Sequence, residues 1–365
     1  MLPSQYKITA LLTSVISFTC TFAQLSENQL PSAPLNYCYK TLAPRPSGRT
    51  SHGVAALGPD IYYIGGRIGA DLTTSVDIYH TLNNTWSSAP PFPKPLLDPN
   101  VIAHNGRIYV LGGSAGVGKA GTISPSDGSL FSARYVPGEE GGRWETIAPN
   151  PRTRNGAVLG SAKDGKIWVA GGKEFPCGGT DVFVDSPAML SYDVAADEWT
   201  AHDELTLPFY NSFGGGGIVN NVMYLLSNIG RSEIYTLDFT TLPTTPANFT
   251  LEKKCVAKVY APKLPSGPWV PKFPPNGLRG IGNYGSAIVG TRFYTFGGSI
   301  PRSGTPIFDF VGIYDTVRDS WETGPPLKIP RSEIRAAAVR EMIYLSGGYT
   351  RDGNGGDIHD SFGPC

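Results

Sequence analysis

The chain has 365 residues, 30 basic and 30 acidic side chains, and a formal net charge of zero. That balance excludes the basic field that nucleic acid or an anionic membrane recruits. With 45 glycines, 32 prolines and only 16% charged residues, the composition points to an all-β protein with many turns.

The N-terminus reads as a targeting segment. Lys7 precedes an apolar run, rich in Ser and Thr, that ends at Thr21-Phe22-Ala23. The run is too short for a stable span and closes on a plausible cleavage site. Residues 1–23 are therefore expected to be a secretory signal and 24–365 a single mature domain, secreted or lumenal, with no membrane span once the signal is cut. Cys38, Cys177, Cys255 and Cys365 stay after Cys20 leaves, and four cysteines in an oxidising compartment allow two disulfides in three connectivities. Asn83 and Asn248 head N-glycosylation sequons.

From residue 51 onward one unit recurs. Its signature is a short β-rich run closed by a glycine pair: Asp60-Ile-Tyr-Tyr-Ile-Gly-Gly66, Arg107-Ile-Tyr-Val-Leu-Gly-Gly113, Lys166-Ile-Trp-Val-Ala-Gly-Gly172, Arg292-Phe-Tyr-Thr-Phe-Gly-Gly298 and Met342-Ile-Tyr-Leu-Ser-Gly-Gly348. Val222-Met-Tyr-Leu-Leu-Ser-Asn228 fills the remaining gap without the glycines. A β-rich unit repeating at roughly 50 residues is the mark of a propeller, one blade per repeat. In the first unit the four strands are expected at 51–57, 61–65, 75–79 and 86–89. The third strand recurs at 188–193 and 311–315, and the fourth starts on Trp144, Trp199 and Trp321. In the fourth unit Leu251 or a neighbour takes the Trp place, so the boundaries there stay open.

The last unit lacks a fourth strand, and the other end of the chain supplies one. Tyr39-Lys-Thr-Leu-Ala-Pro reads like Trp144-Glu-Thr-Ile-Ala-Pro, with Tyr for Trp. Strands from both termini then close the ring and leave no exposed edge. Aligning 358–365 on 313–320 puts Cys365 on the Ser320 position, where Cys38 also falls. A Cys38–Cys365 disulfide is expected, and Cys177–Cys255 by elimination.

The glycine pairs, the Tyr192-Asp193 and Tyr314-Asp315 pairs, the spaced tryptophans and Arg49-Thr-Ser-His52 together resemble the kelch repeat, from about Tyr39 to Cys365. The resemblance implies a six-bladed kelch-type β-propeller. It also implies that Arg49 and Arg331, on the repeated arginine position, brace blades, and that His52 sits on a structural histidine position.

A site is expected on the face where inter-blade loops meet the loops joining second and third strands. The chain's extra length falls there, at 114–129, 173–186 and 262–280. Asp98, Asn100, Arg152, Asn283 and Glu333 lie in these loops. Arg154, Asn155, Asn211 and Tyr284 break the repeat pattern and are the candidate catalytic hydrogen-bond donors. Tyr210, Phe213, Phe175, His52 and Arg335 are the candidate substrate contacts.

Cofactor and metal chemistry find little support. Gly113-Ser-Ala-Gly-Val-Gly-Lys-Ala120 nearly spells a P-loop, but Ala replaces the Mg²⁺-binding hydroxyl and no helix follows to cradle phosphate. The five histidines form no short-spaced pair and there is no Cys-x-x-Cys. Tyr79-His80 is a repeat position. The galactose-oxidase-like propellers need a free cysteine and further domains, and the plant specifier proteins an acidic-histidine motif that this chain lacks. No nucleophile elbow is present. No cofactor and no metal are expected.

In length, signal, sequons and single-ring design the chain resembles the fungal secretory-pathway propellers that act as hetero-Diels–Alderases in tropolonic sesquiterpenoid biosynthesis. That likeness implies a cofactor-independent cycloaddition on apolar small molecules. A cycloaddition needs partners held at reacting distance and donors that polarise a carbonyl, not a nucleophile. Two alternatives stay open. One is a sialate-epimerase-like sugar isomerase, with Arg331, Glu333 and Arg335 at work. The other is a secreted glycan- or protein-binding module. Oligomeric state and substrate are not legible.

Overall fold

The structure is a computed structural model that describes residues 36–114, 131–139, 141–152, 156–161, 164–174, 184–207, 213–226, 234–242, 270–272, 281–300 and 306–365. The expected signal, Cys177, Cys255 and Asn248 lie outside these residues. Among the described residues, six four-stranded antiparallel sheets form the blades. Blade 1 comprises Gly53–Leu57, Asp60–Ile64, Val76–His80 and Thr85–Ala89, within two residues of the expected strands. The inner strands Gly53–Leu57, Val101–His104, Val158–Ser161, Gly215–Val219, Gly285–Val289 and Arg335–Val339 each contact the next, and the last returns to the first. The chain is thus an all-β ring with an axis.

The second strands carry the core. Ile61, Tyr63 and Ile64 in blade 1, and Ile108 through Leu111 in blade 2, are fully buried. β-branched and aromatic side chains suit a strand covered on both faces. The glycine pairs follow at positive φ: Gly65 at 64°, Gly297 at 63° and Gly347 at 65°. A Cβ on Gly297 would stand 2.1 Å from the Arg331 carbonyl oxygen, so the backbone approach there admits only glycine.

The tryptophans have a polar task as well as a packing one. Trp86 Nε1 donates to the Ala43 carbonyl, Trp144 to Pro90 and Trp199 to Ala148. Each acceptor lies in the link that leaves the preceding blade, so each bond ties an outer strand to its neighbour. In blade 6 the place belongs to Tyr39, whose hydroxyl donates to the Pro325 carbonyl at 2.9 Å. Tyrosine replaces tryptophan there because it keeps the donor at the rim.

Blade 6 is closed as expected. Tyr37–Thr41 pairs with His359–Pro364, with Tyr39 opposite Phe362. Cys38 and Cys365 form a disulfide across 327 residues. The register differs from the sequence alignment by three residues. Ile343 pairs with Phe362 as Phe293 pairs with Tyr314, so Cys365 corresponds to Val317 and not to Ser320. The bond still forms because Cys365 leaves the end of the third strand beside Cys38, its amide donating to the Asn36 carbonyl.

Blade 4 corrects the sequence reading. Its fourth strand is Val270–Lys272, paired with Ile234–Asp238, and not a segment near Leu251. Trp269 immediately precedes it in sequence. The 262–280 stretch is therefore in part a blade strand, not only a loop ahead of blade 5. Asn83 is exposed in the blade 1 turn, and its side-chain oxygen accepts from Thr85 Oγ1 at 2.7 Å.

Candidate functional site

A left-handed residue precedes the inner strand of every blade: Ser51, Asp98, Gly156, Phe213, Asn283 and Glu333, with φ between 46° and 61°. The turn is a repeat feature. Its side chains are not, and Asp98, Gly156 and Phe213 among these residues border a cavity on the axis.

That cavity is about 210 Å³ and is bordered among others by Asp98, Phe213, Tyr284, Ser286 and Arg335. A second cavity of about 380 Å³ shares Val54, Val101, Ile102 and Ala336 with it. The second is lined by Val, Ile and Ala alone, including Ala56, Ala287, Ile288 and Ala338. The axis is therefore a mouth with charged side chains above a shaft whose side chains are small and aliphatic, with backbone polar groups between them. Glycines in blades 3 and 4 let neighbours close the far side: a Cβ on Gly160 would meet Ile218 Cγ1 at 2.6 Å, and one on Gly217 would meet Ile288 Cδ1 at 2.6 Å.

Arg335 organises the mouth. Its Nη2 donates to Asp98 Oδ1 at 2.6 Å and its Nε to the His52 carbonyl at 2.8 Å. Burial pushes the Asp98 carboxyl up, opposed by Arg335 and by a hydrogen bond from Ser51. Glu333 is half-buried. Burial raises its carboxyl first and the Asp98 charge second, against Arg335 and Lys173. No hydrogen bond of the Glu333 carboxylate occurs among the described residues. Lys173 Nζ lies over the Phe213 ring at 5.2 Å, a cation–π contact at the same mouth.

The sequence candidates divide. Phe213 and Arg335 stand at the mouth, as does the ring of Tyr284. The Tyr284 hydroxyl donates to the Leu226 carbonyl at 2.9 Å and accepts from the Gly215 amide at 3.3 Å. It is committed to blade 4 and is not a free donor. The His52 ring is buried beside Tyr63 at 5.6 Å, with Nδ1 3.4 Å from Arg45 Nη1. Burial first, and the charges of Arg45, Arg335 and Arg49 next, hold it neutral; its contribution to the mouth is its carbonyl. Asn100 spans blades 2 and 3, accepting from the Ala157 amide and donating to the Leu111 carbonyl. Arg154, Asn155, Tyr210, Asn211 and Phe175 lie outside the described residues.

Arg49 and Arg331 are braces. Arg49 binds the Gly65 and Ser75 carbonyls and Asp77, and Arg331 binds the Gly347 carbonyl and Asp360. In repeat register Arg154 takes the same position, two residues before the left-handed turn. Leu190, opposite Val169, takes the place of Asp77 and Asp360, opposite Tyr63 and Leu345. The third repeat thus has leucine at the register position of that acid. Lys173 is not singled out by the sequence, whereas Asp98 and Glu333 are among the inter-blade loop residues and Glu333 also belongs to the sugar-isomerase alternative. Asp98 and Glu333 share the left-handed position ahead of the inner strand, three residues before Val101 and two before Arg335.

Comparison with known proteins agrees with the architecture. The Kelch motif profile matches residues 48–93, which hold blade 1. Kelch-like protein terF of Aspergillus terreus is 27% identical over 311 residues, covering 82% of this chain and 61% of that protein. Beta-scruin of Limulus polyphemus is 30% identical over 210 residues, covering 54% of this chain and 22% of that protein. The chain thus spans less than two thirds of the length of either relative. Among solved structures, that titled YjhT superposes with a TM-score of 0.66 over 88% of this chain and 96% of that one, at 15% identity, a likeness of fold alone. The chain carries a kelch motif at residues 48–93 and folds as a six-bladed kelch-type β-propeller.

Proposed function

We propose that this chain is a cofactor-independent small-molecule enzyme of secondary metabolism, working in the secretory pathway, and that its reaction is a cycloaddition of the hetero-Diels–Alder type in the axial cavity. The observation that carries this reading is the shaft of Val, Ile and Ala side chains beneath a mouth that holds Arg335. An apolar ligand gains about 25 cal/mol for each Å² it buries in such a shaft. Holding two reacting ends together there supplies most of what a cycloaddition needs. Arg335 Nη1, which makes no hydrogen bond among the described residues, is the donor placed to polarise a carbonyl. Phe213 and the Tyr284 ring are walls. Arg154 stays a proposed donor. A fungal kelch-like relative fits this reading.

The charged mouth favours one other reading, a sugar isomerase that uses Arg335 and Glu333. A metabolite profile of the source strain with and without the gene separates the two. Loss of one adduct with accumulation of its uncoupled precursors supports the cyclase. An unchanged profile overturns it, and mutarotation of sialate by the purified protein then tests the isomerase.

A further inference from the structure

We infer that, apart from the axial site, the seam between blades 6 and 1 holds a small monovalent anion of chloride size, bound by the buried guanidinium of Arg45.

Arg45 breaks the repeat. Six residues after the fourth-strand tryptophan, the link between blades buries Phe92, Asn150, Leu205 and Leu327. The same step from Tyr39 reaches Arg45, which is also buried. A second break faces it. Ser346 pairs with His359 where blades 1, 3, 4 and 5 pair Ile64 with Val76, Ala170 with Met189, Leu226 with Ile234 and Phe296 with Val311. Blade 6 thus exchanges apolar core for polar groups at one place. The Arg45 guanidinium reaches that place, its Nη1 standing 3.4 Å from both Ser346 Oγ and His52 Nδ1.

The polar groups left over are donors. Nη1 has a third neighbour at 3.4 Å, the Arg49 carbonyl, and all three contacts are longer than an ordinary N–H···O bond. Arg45 Nε and Nη2 make no hydrogen bond among the described residues, with Nη2 3.6 Å from Asp77 Oδ2. An arginine only donates, so His52 Nδ1 accepts and the neutral ring carries its hydrogen on Nε2. That Nε2 is buried and has no described partner either.

The charge is unbalanced in the same sense. Asp77 already accepts from Arg49 Nη2 at 2.7 Å. His52 and His359 are held neutral by burial. Two buried guanidiniums therefore share one carboxylate. A water molecule would satisfy a donor and leave the positive charge, which is the costlier fault away from solvent. An anion answers both. Close packing, with the Tyr63 ring centroid 4.8 Å from the guanidinium carbon, selects a single atom over a carboxylate-bearing ligand.

The test compares thermal melts in sodium chloride and sodium gluconate at equal ionic strength, and locates bromide by anomalous scattering in crystals grown with sodium bromide. The expected results are a saturable rise in melting temperature of roughly 2–4 °C with chloride and a bromide peak beside the Arg45 guanidinium. R45L, which brings back the leucine of blades 3 and 5, is expected to melt alike in the two salts and to lose the peak. If R45L does not fold, the bromide map of the unmodified protein decides. Equal melting of the unmodified protein in the two salts, or a chloride response that persists in R45L, overturns the inference. So does bromide at exposed surface positions alone, an adventitious ion only.

Discussion

Arg335 opens blade 6 and Asp98 stands ahead of blade 2, yet the two side chains meet at 2.6 Å. Blade 1 lies between them and offers its His52 carbonyl to the same guanidinium. One side chain therefore pins three consecutive blades at the channel mouth. R335A leaves Asp98 buried without its cation. Because the arginine is 21% exposed, the expected cost is about 2 kcal/mol, below the range for a fully buried pair. Urea unfolding of R335A, D98A and the double variant checks this, with the double variant more stable than the sum of the single losses implies.

His359 predicts an acid limb. Its Nε2 accepts from the Tyr63 hydroxyl at 3.0 Å, and its Nδ1 donates to the Ala43 carbonyl at 3.2 Å. Burial holds its pKa down at about 3. A depressed histidine favours the fold above its unfolded pKa, and that stability is lost as pH falls from about 6.5 through the folded value. The full loss is on the order of 4 kcal/mol by pH 3. Thermal melts between pH 7 and 3 check it, and H359Q should flatten the slope. Asp98 and Glu333, whose carboxyls are raised, act with the opposite sign. Their stability is present at low pH and lost as pH rises through their folded values, so D98N and E333Q should steepen the net acid loss.

The Cys38–Cys365 bond closes nearly the whole described ring. A loop of 327 residues corresponds to about 5 kcal/mol of chain entropy. C38S should therefore lower the denaturant midpoint and raise the slope per mole of denaturant, because the unfolded chain without the cross-link is less compact. Comparison of the oxidised protein and C38S in guanidinium chloride measures this, and peptide mapping should find Cys38 joined to Cys365.

The shaft is a space, and filling it should matter for binding more than for folding. Ala338 lines it and is partly exposed there. Ala338→Phe should weaken binding of an apolar probe such as 2-methoxynaphthalene by tenfold or more, at a stability cost of about 1–3 kcal/mol for the larger side chain. Titration with the probe and a thermal melt of the same sample read the two effects separately.

Much of this protein was legible in its sequence because a repeat states its own strands. The six β-rich runs, the tryptophans and the terminal Tyr39 strand are local signals, and repetition multiplied them. The cysteine pair was found despite a three-residue register error, because both residues leave strand ends at the same seam and the bond does not need them in one row. Blade 4 was not legible. A long insertion separates Ile234–Asp238 from Val270–Lys272, and a strand of three residues carries almost no pattern.

The site divides along the same line. That polar residues ahead of the inner strands would surround the axis followed from the repeat. Which of them keep a free group depended on partners far away in the chain. Arg49 and Arg331 are consumed by carbonyls and aspartates within their own blades. Tyr284 gives its proton to a strand 58 residues earlier. Arg335 reaches Asp98 across 237 residues, and the Glu333 carboxylate has no hydrogen bond among the described residues. Sequence alone determined the ring and its closure, because short-range pattern encodes strands and turns. The tertiary structure decided which side chains are spent and which face the cavity, because a hydrogen bond is settled by distance in space.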